Sequence, residues 1–391
     1  MSKIQSDYKI TFFPVGNGDT TIISLKDDTN ILMDCNITKD SNDPDIEERY
    51  DIIGHLLEIL PKDNSEIPHL DAFILSHPDI DHCRNIVKHF YLGDPESYND
   101  ETDKDKIIID ELWFAPGIFA EEEEDLNEDA KEFKEEAKRR KKLYEDKSVE
   151  RSNAGNRLRM IGATDNEELE DLKAITTTAG ESVNLINGKK QEEFSFFVLG
   201  PVKAENDASE VERNQCSVIL KAEFKINSED INNVVILAGD SRIENWKRIM
   251  NKNDLEDLKF DIFMAPHHCS WYFFTSEDYK SDPTPKADEE IISFIENGKE
   301  DGDVRVVVAS CKEIKRNDDN PPHYRAANLY KKAIGDDNFY CLSEYPSTAE
   351  PKPLTFIFSE NGPIKQDPEK STEKESTAAL IQTASTPKTY G

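Results

Sequence analysis

Short β-branched and aromatic runs open the chain. "YKITFF", "TTIISL" and "NILMD" are separated by Gly, Asn and Asp, which predicts three strands joined by turns. "DIEERYDIIGHLLEIL" places apolar residues at helical spacing and stops at Pro61, so a helix is expected there. "LDAFILS" is a continuous apolar run, of the kind buried on both faces of a sheet. "IDHCRNIVKHF" reads as one helix and "IIIDELWFA" as the next strand. Strands at hairpin spacing, followed by strand–helix alternation, predict a layered α/β sandwich.

From about residue 119 to 190 the pattern changes. Glu121 to Glu124 open a charged segment, and "DAKEFKEEAKRRKKLYEDK" combines strong helix formers with opposite charges three or four apart. That predicts a solvated helix, continued loosely by "SNAGNRLRMIGATDNEELEDL". Strand patterning resumes with "FSFFVLGP", "QCSVILKAEF", "NVVILAGD", "FDIFMAPHHCS" and "VRVVVASC", and "HYRAANLYKKAI" reads as a helix. The stretch 119–190 is therefore expected to be a charged helical insertion in a domain spanning 1–363. Residues 364–391 are rich in Ser, Thr, Lys and Pro and are expected to be a disordered tail.

Composition narrows the class. With 391 residues, 36% of them apolar and 33% charged, the chain is long enough for one large domain or two modest ones. A net charge of −33 counts against any broad coating of nucleic acid, unless metals or a local basic patch reverse the field. The basic cluster Lys138 to Lys142 reads either as a phosphate-tracking patch or as a helix face balanced by flanking acids, and the flanking acids favour the second. Six cysteines form no CxxC pair, the N-terminus lacks the apolar core of a signal peptide, and no window of 18 apolar residues exists. A soluble, cytoplasmic protein in a reducing compartment, with no membrane contact, is the expectation.

The candidate chemistry sits at the ends of apolar runs. "NILMD" ends at Asp34, "FILSHPDIDH" carries His77, Asp79, Asp81 and His82, "VVILAGD" ends at Asp240, and "FDIFMAPHH" ends at His267 and His268. Of eight histidines, four lie in these two motifs. Strand ends on one rim of a sheet are close in space, and imidazole with carboxylate suits borderline divalent metals, Zn²⁺ first.

The order "VGNGD", "MDCN", "SHPDIDH", "NQCSVIL", "LAGD" and "APHHCS" resembles the metallo-β-lactamase fold superfamily. Within it, the chain looks like the branch typified by the hydrolase domain of the competence protein ComEC. The resemblance covers about residues 8 to 345 outside the charged segment. It implies an αββα four-layer sandwich and a metal-dependent hydrolase, foremost a phosphodiesterase or nuclease using a hydroxide that bridges two metals. The ligands implied are His77, Asp79, Asp81, His82, Asp240 and His267, holding two divalent ions, Zn²⁺ or alternatively Mn²⁺. His268 is implied as an alternative ligand or a support for one, and Asp34 as the carboxylate that orients a ligand histidine. His323 would stabilise or protonate the reacting phosphate and Ser270 would donate a hydrogen bond there; with Asp81 these form the expected catalytic set.

The sequence departs from that pattern in three places. No histidine lies between His89 and His267, so the usual middle ligand is missing, and Asn214 stands near its place as a weak oxygen donor. Cys83 and Cys269 stand where glycine is common. Each is either a small residue tolerated in a glycine slot or a soft ligand or redox-sensitive thiol at the site. Two other functions stay open: an esterase, thioesterase or lactonase of the same fold, and a non-catalytic module docking a protein partner through the insertion. A nuclease role is expected to need a partner, because so acidic a chain binds long DNA poorly.

Overall fold

The computed structural model describes residues 7–39, 50–99, 101–162, 172–202, 216–281, 285–297, 305–317 and 319–368. Two large sheets dominate. The first runs, strand by strand, Gly362–Lys365, Leu354–Ser359, Lys9–Phe12, Thr21–Ser24, Asn30–Met33, His69–Leu75, Ile107–Phe114, Arg157–Ile161 and Thr176–Thr177, with Phe90–Tyr91 also paired to Ile107–Phe114. The second runs Ser182–Val183, Phe194–Gly200, Ile219–Phe224, Asn233–Leu237, Ile262–Met264, Val306–Ala309 and Phe339–Cys341.

Three apolar layers hold these sheets. Between them pack Ile10, Ile23, Ala72 and Trp113 from the first and Phe196, Leu220, Val235 and Val308 from the second. Strand residues point alternately to opposite faces, so Leu32, Phe73 and Ile109 face the other way. They meet Leu56 of α1 (Ile52–Ile59), Ile86 of α3 (Ile86–His89) and Phe133 of α4 (Glu128–Glu145); α2 (Ile80–Cys83) lies on this side too. On the outer face of the second sheet, Ile236, Phe263 and Val307 pack against Trp246 of α5 (Ile243–Lys252), Phe294 of α7 (Glu289–Glu296) and Tyr330 of α8 (Tyr324–Ile334). The short α6 spans Pro266–Cys269.

Caps follow local chemistry. Asp51 accepts from the Gly54 N–H at the start of α1, Asn127 from Ala130 at α4, and Asp288 from Glu290 and Ile291 at α7. The expected single helix over "IDHCRNIVKHF" is instead two short ones, broken where Asn85 takes φ of 62°. That break lets His82 turn inward while Ile86 packs on the sheet.

The segment 119–190 differs most from expectation. Helix α4 is not a solvated arm: Ala130, Phe133, Ala137 and Arg140 recur on one buried face. Burying Phe133 alone contributes about 1.5–3 kcal/mol. "RLRMI", expected as loose helix, is a strand, and Thr176–Thr177 extends the same sheet. Residues 163–171 lie outside the described residues. Four residues of the basic cluster pair with acids of their own helix, and Lys142 is exposed. Arg140 is buried and donates to Glu136 at 2.7 Å and to the carbonyls of Ile109 at 2.8 Å and Arg157 at 2.9 Å. Arg139 also binds Glu136, Lys138 pairs with Glu135, and Lys141 pairs with Glu145. At the C-terminus, Gly362–Lys365 pairs as an edge strand, so the expected boundary of the tail at 364 falls inside a strand. The rest of that tail, 369–391, lies outside the described residues.

One feature of this topology positions the site. Neighbours from Asn30–Met33 to Thr176–Thr177 run parallel, and so do those from Asn233–Leu237 to Phe339–Cys341. Parallel strands deliver their C-terminal ends to one rim. Those ends carry Asp34, the 76–82 stretch, Asp240 and the paired histidines.

Candidate metal centre

Asp34 follows its strand with φ of 58°, and its N–H donates to the Ile74 carbonyl of the neighbouring strand at 2.9 Å. This turn aims the carboxylate across the strand ends. It accepts the Ser76 N–H at 2.7 Å, the Ser76 hydroxyl at 2.7 Å and His82 Nδ1 at 2.8 Å. With Nδ1 engaged as donor, His82 presents Nε2 and its lone pair to the interior.

Asp240 is buried at the centre, and each of its oxygens faces a different group. Oδ1 lies 3.1 Å from His82 Nε2 and 3.2 Å from His268 Nε2. His268 Nε2 is also 3.3 Å from Asp81 Oδ2. Oδ2 lies 3.7 Å from His77 Nε2 and 3.5 Å from His267 Nε2, and His77 Nε2 is 3.5 Å from Asp79 Oδ2. The residues split into two clusters sharing one carboxylate. Asp19 joins the first: it lies 3.5 Å from His268 Nδ1 and 3.9 Å from His82 Nδ1. Single ligand atoms of Asp19, His82, Asp240 and His268 all fall within 4.8 Å of one another.

These atoms fit a cation. Nε2 of His77, His82 and His268 and Oδ1 of Asp240 are buried without a hydrogen-bond partner among the described residues. A buried polar atom left so costs about 1–3 kcal/mol. Three of them, Nε2 of His82 and His268 and Oδ1 of Asp240, converge on one side and Nε2 of His77 lies on the other; once their protons are displaced, these are atoms a divalent ion would satisfy.

Charge in the cluster is tightly coupled. Burial disfavours charge on His82 and His268, yet Asp240, with Asp34 or Asp19, outweighs it and holds both pKa values well above the usual imidazole range. Burial likewise disfavours charge on Asp240, but His268, His82 and His267 hold it well below the carboxylate range. His267 is the exception: burial dominates and pulls it down to about 4, so it is neutral at pH 7 and keeps a lone pair to offer. A cation entering the first cluster therefore displaces protons.

The backbone is strained to build this arrangement. His267, His268 and Cys269 take φ of 47°, 52° and 65°, a left-handed run in residues with side chains, costing on the order of 1–2 kcal/mol each. Gly18 permits the closest approach. With φ of +126°, a Cβ there would meet Asn36 Nδ2 at 2.1 Å and the Asp81 carbonyl at 2.6 Å. The Asp19 N–H donates to that same carbonyl at 3.1 Å, which ties the "VGNGD" turn to the "SHPDIDH" turn.

The sequence-predicted residues are placed as follows. His77, Asp79, Asp81, His82, Asp240 and His267 come together. His268, expected as an alternative ligand or a support, points Nε2 straight at Asp240 and Asp81. Asn214 lies outside the described residues; on the Asp240 Oδ2 side, His267 stands beside His77 and Asp79. Ser270 is engaged locally: its hydroxyl bonds Asn320 Oδ1 at 3.1 Å and accepts the Tyr272 N–H. His323 is a step away, its N–H donating to the Cys269 carbonyl at 3.0 Å and its ring 5.5 Å from that of Trp271. Cys83 and Cys269 are fully buried, and burial pushes both thiols up from their ordinary pKa; Cys83 Sγ donates to the Asp79 carbonyl at 3.3 Å, and Cys269 packs in the apolar layer outside the second sheet. Asp19 was missed. Its signal is present in the sequence as the last residue of "VGNGD", a carboxylate in the first of the motifs that carry the resemblance.

No family model matches the chain, and no curated protein matches it. Among solved structures it is similar to a "Putative metal-dependent hydrolase" from Parabacteroides distasonis, at 12% identity and a TM-score of 0.31, over 85% of this chain and 91% of that one. A likeness at that score carries no argument, so the chemistry rests on the geometry above. Among the described residues, no helix is long and apolar enough to cross a membrane.

Proposed function

We propose that the protein is a metal-dependent hydrolase of the metallo-β-lactamase type, an αββα sandwich whose two clusters hold two divalent ions, and that its substrate is a phosphodiester. The observation that carries this reading is the division of ligands over the two oxygens of Asp240. Ions bound there supply Lewis acidity and a nucleophile at neutral pH. The chain's own residues do the rest. Asp240 fixes the two clusters relative to each other, and Asp34 with Ser76 holds His82 in its tautomer. The left-handed run 267–269 sends two adjacent imidazoles to different clusters. The cations Arg316 and Arg325, grouped around Tyr324 next to His323, support a phosphate substrate over an uncharged one.

A second reading has one observation behind it. A slot beside His77, lined by Leu75, Pro78, Phe114, Ile118, Cys216 and Glu121, is largely apolar, and at about 20 Å³ it would seat only a methyl-sized acyl end of an ester or thioester. Generic phosphodiester, nucleic-acid and ester substrates, each assayed with Zn²⁺, Mn²⁺ and Mg²⁺ beside an Asp240→Ala control, separate the two. Phosphodiester turnover that is metal-dependent and lost in the control is expected. Ester turnover alone would overturn the first reading.

A further inference from the structure

The loops that carry His268 and His323 also carry a row of aromatic rings. Tyr272 and Tyr279 meet edge to face at 6.2 Å, Tyr279 meets His323 at 5.6 Å, and His323 stacks on Tyr324 at 5.3 Å. Each tyrosine has a cation at its face. Arg242 lies 5.3 Å from the Tyr272 centroid and Lys280 lies 5.2 Å from that of Tyr279. Arg316 and Arg325 lie 5.7 Å and 5.8 Å from Tyr324. The row is anchored to the metal centre at two points: Arg242 is two residues beyond Asp240, and the His323 N–H bonds the carbonyl of Cys269, next to His268. All three tyrosines are partly exposed, and Lys280 and Arg316 are exposed.

This combination is unusual in so acidic a chain. Among the described residues of 242–244, 270–281 and 312–325, six cations (the four ring-bound ones, Lys312 and Lys315) stand against five acids (Glu244, Glu277, Asp278, Glu313 and Asp319), where the whole chain carries −33. Alternating flat rings and cations suit a ligand that alternates flat bases and phosphates. A duplex hides its bases inside the stack, whereas a single strand can splay them onto aromatic side chains. The same acidity that repels a long duplex leaves only a short local contact favourable.

We propose that this row binds a single-stranded nucleic acid, with bases stacking on Tyr272, Tyr279 and Tyr324 and phosphates facing the cations beside them. It leads the strand to the metal centre, and in that role it rests on the phosphodiesterase reading above. The test uses the metal-loaded full chain and fluorescent phosphorothioate oligonucleotides of about 12 nucleotides, which resist cleavage. Deoxy, ribo and duplex arms are followed by anisotropy across a salt series. Binding of the deoxy or the ribo single strand at least about 10-fold tighter than the duplex is expected. Tyr324→Ala weakens single-strand binding by about 5-fold or more. Arg316→Gln with Arg325→Gln flattens the salt slope by about 1.4, at roughly 0.7 per phosphate contact. Lys190→Ala, in the exposed hairpin of Leu185–Ile186 and Lys189–Lys190, leaves binding unchanged. Melting curves confirm that the variants fold. Equal affinity for duplex, or single-strand binding unmoved in both the tyrosine and arginine variants, would overturn the proposal. Turnover of a small phosphodiester by the wild-type chain is scored separately. Its absence sinks the phosphodiesterase reading and leaves a measured strand-binding row standing; turnover without strand binding sinks only the row.

Discussion

Replacing Asp34 by Asn separates ligand orientation from ligand identity, because Asp34 approaches the centre only through His82 and Ser76. The buried carboxylate receives three hydrogen bonds, two on Oδ2 from the Ser76 hydroxyl and His82 Nδ1 and one on Oδ1 from the Ser76 N–H. Asn keeps an acceptor on one side and sets an NH₂ group against donors on the other. The metal-free protein should lose about 1–3 kcal/mol. His82 loses the group that fixes its tautomer, and metal affinity should fall about 10–100-fold. At a free metal concentration about 1,000 times the wild-type Kd, binding stabilises the wild-type fold by about 4.1 kcal/mol. The same concentration stabilises the variant by only about 2.7 kcal/mol for a 10-fold loss, or about 1.4 kcal/mol for a 100-fold loss. Thermal melts with and without Zn²⁺ or Mn²⁺, read beside calorimetric titration, give both quantities. A metal-induced rise in Tm equal to that of the wild type would refute the orienting role of Asp34 and weaken the case that His82 is a ligand.

Three further outcomes follow from the structure. Arg140→Met removes one of the two arginines on the buried Glu136 and the guanidinium donors to the Ile109 and Arg157 carbonyls; because Arg139 still holds Glu136, the denaturant midpoint should drop by the equivalent of about 1–3 kcal/mol, and no measurable change would show that helix α4 does not rely on Arg140. Burial works against charge on His69, but its hydrogen bond to Asp110 at 2.7 Å prevails and raises its pKa. A raised folded-state pKa stabilises fully below the unfolded value of about 6.5 and ceases to do so as pH rises through the folded value, so His69→Gln should cost more stability at pH 5 than at pH 9, and an equal cost would contradict the pairing. Alkylation of the native protein with iodoacetamide, read by peptide mass spectrometry, should modify Cys216 first, because the other five thiols are buried; early labelling of Cys83 or Cys269 would reopen their role as reactive groups.

The sequence alone determined the strands and the chemistry at their tips. Period-two and continuous apolar runs mark the strands because burial on one or both faces is a local property of each segment. The motifs at Asp34, His77 to His82, Asp240 and His267–His268 were visible because a chain with few histidines concentrates them where strands end. Helix α4 was misread for a related reason: its charges are conspicuous in sequence, while the face made of Ala130, Phe133, Ala137 and Arg140 looks ordinary until a sheet lies against it. What only the tertiary structure decided is who meets whom. Asp19 and His268 are far apart along the chain; the parallel strands bring His268 to the rim, whereas Asp19 sits in an antiparallel hairpin turn that reaches it through the bonds of the Asp19 N–H to the Asp81 carbonyl and of the Gly18 N–H to His268. The sharing of Asp240 between two clusters, and the sending of His267 and His268 to different sides, depend on left-handed backbone angles that no local propensity favours. Such angles persist only where the surrounding packing imposes them.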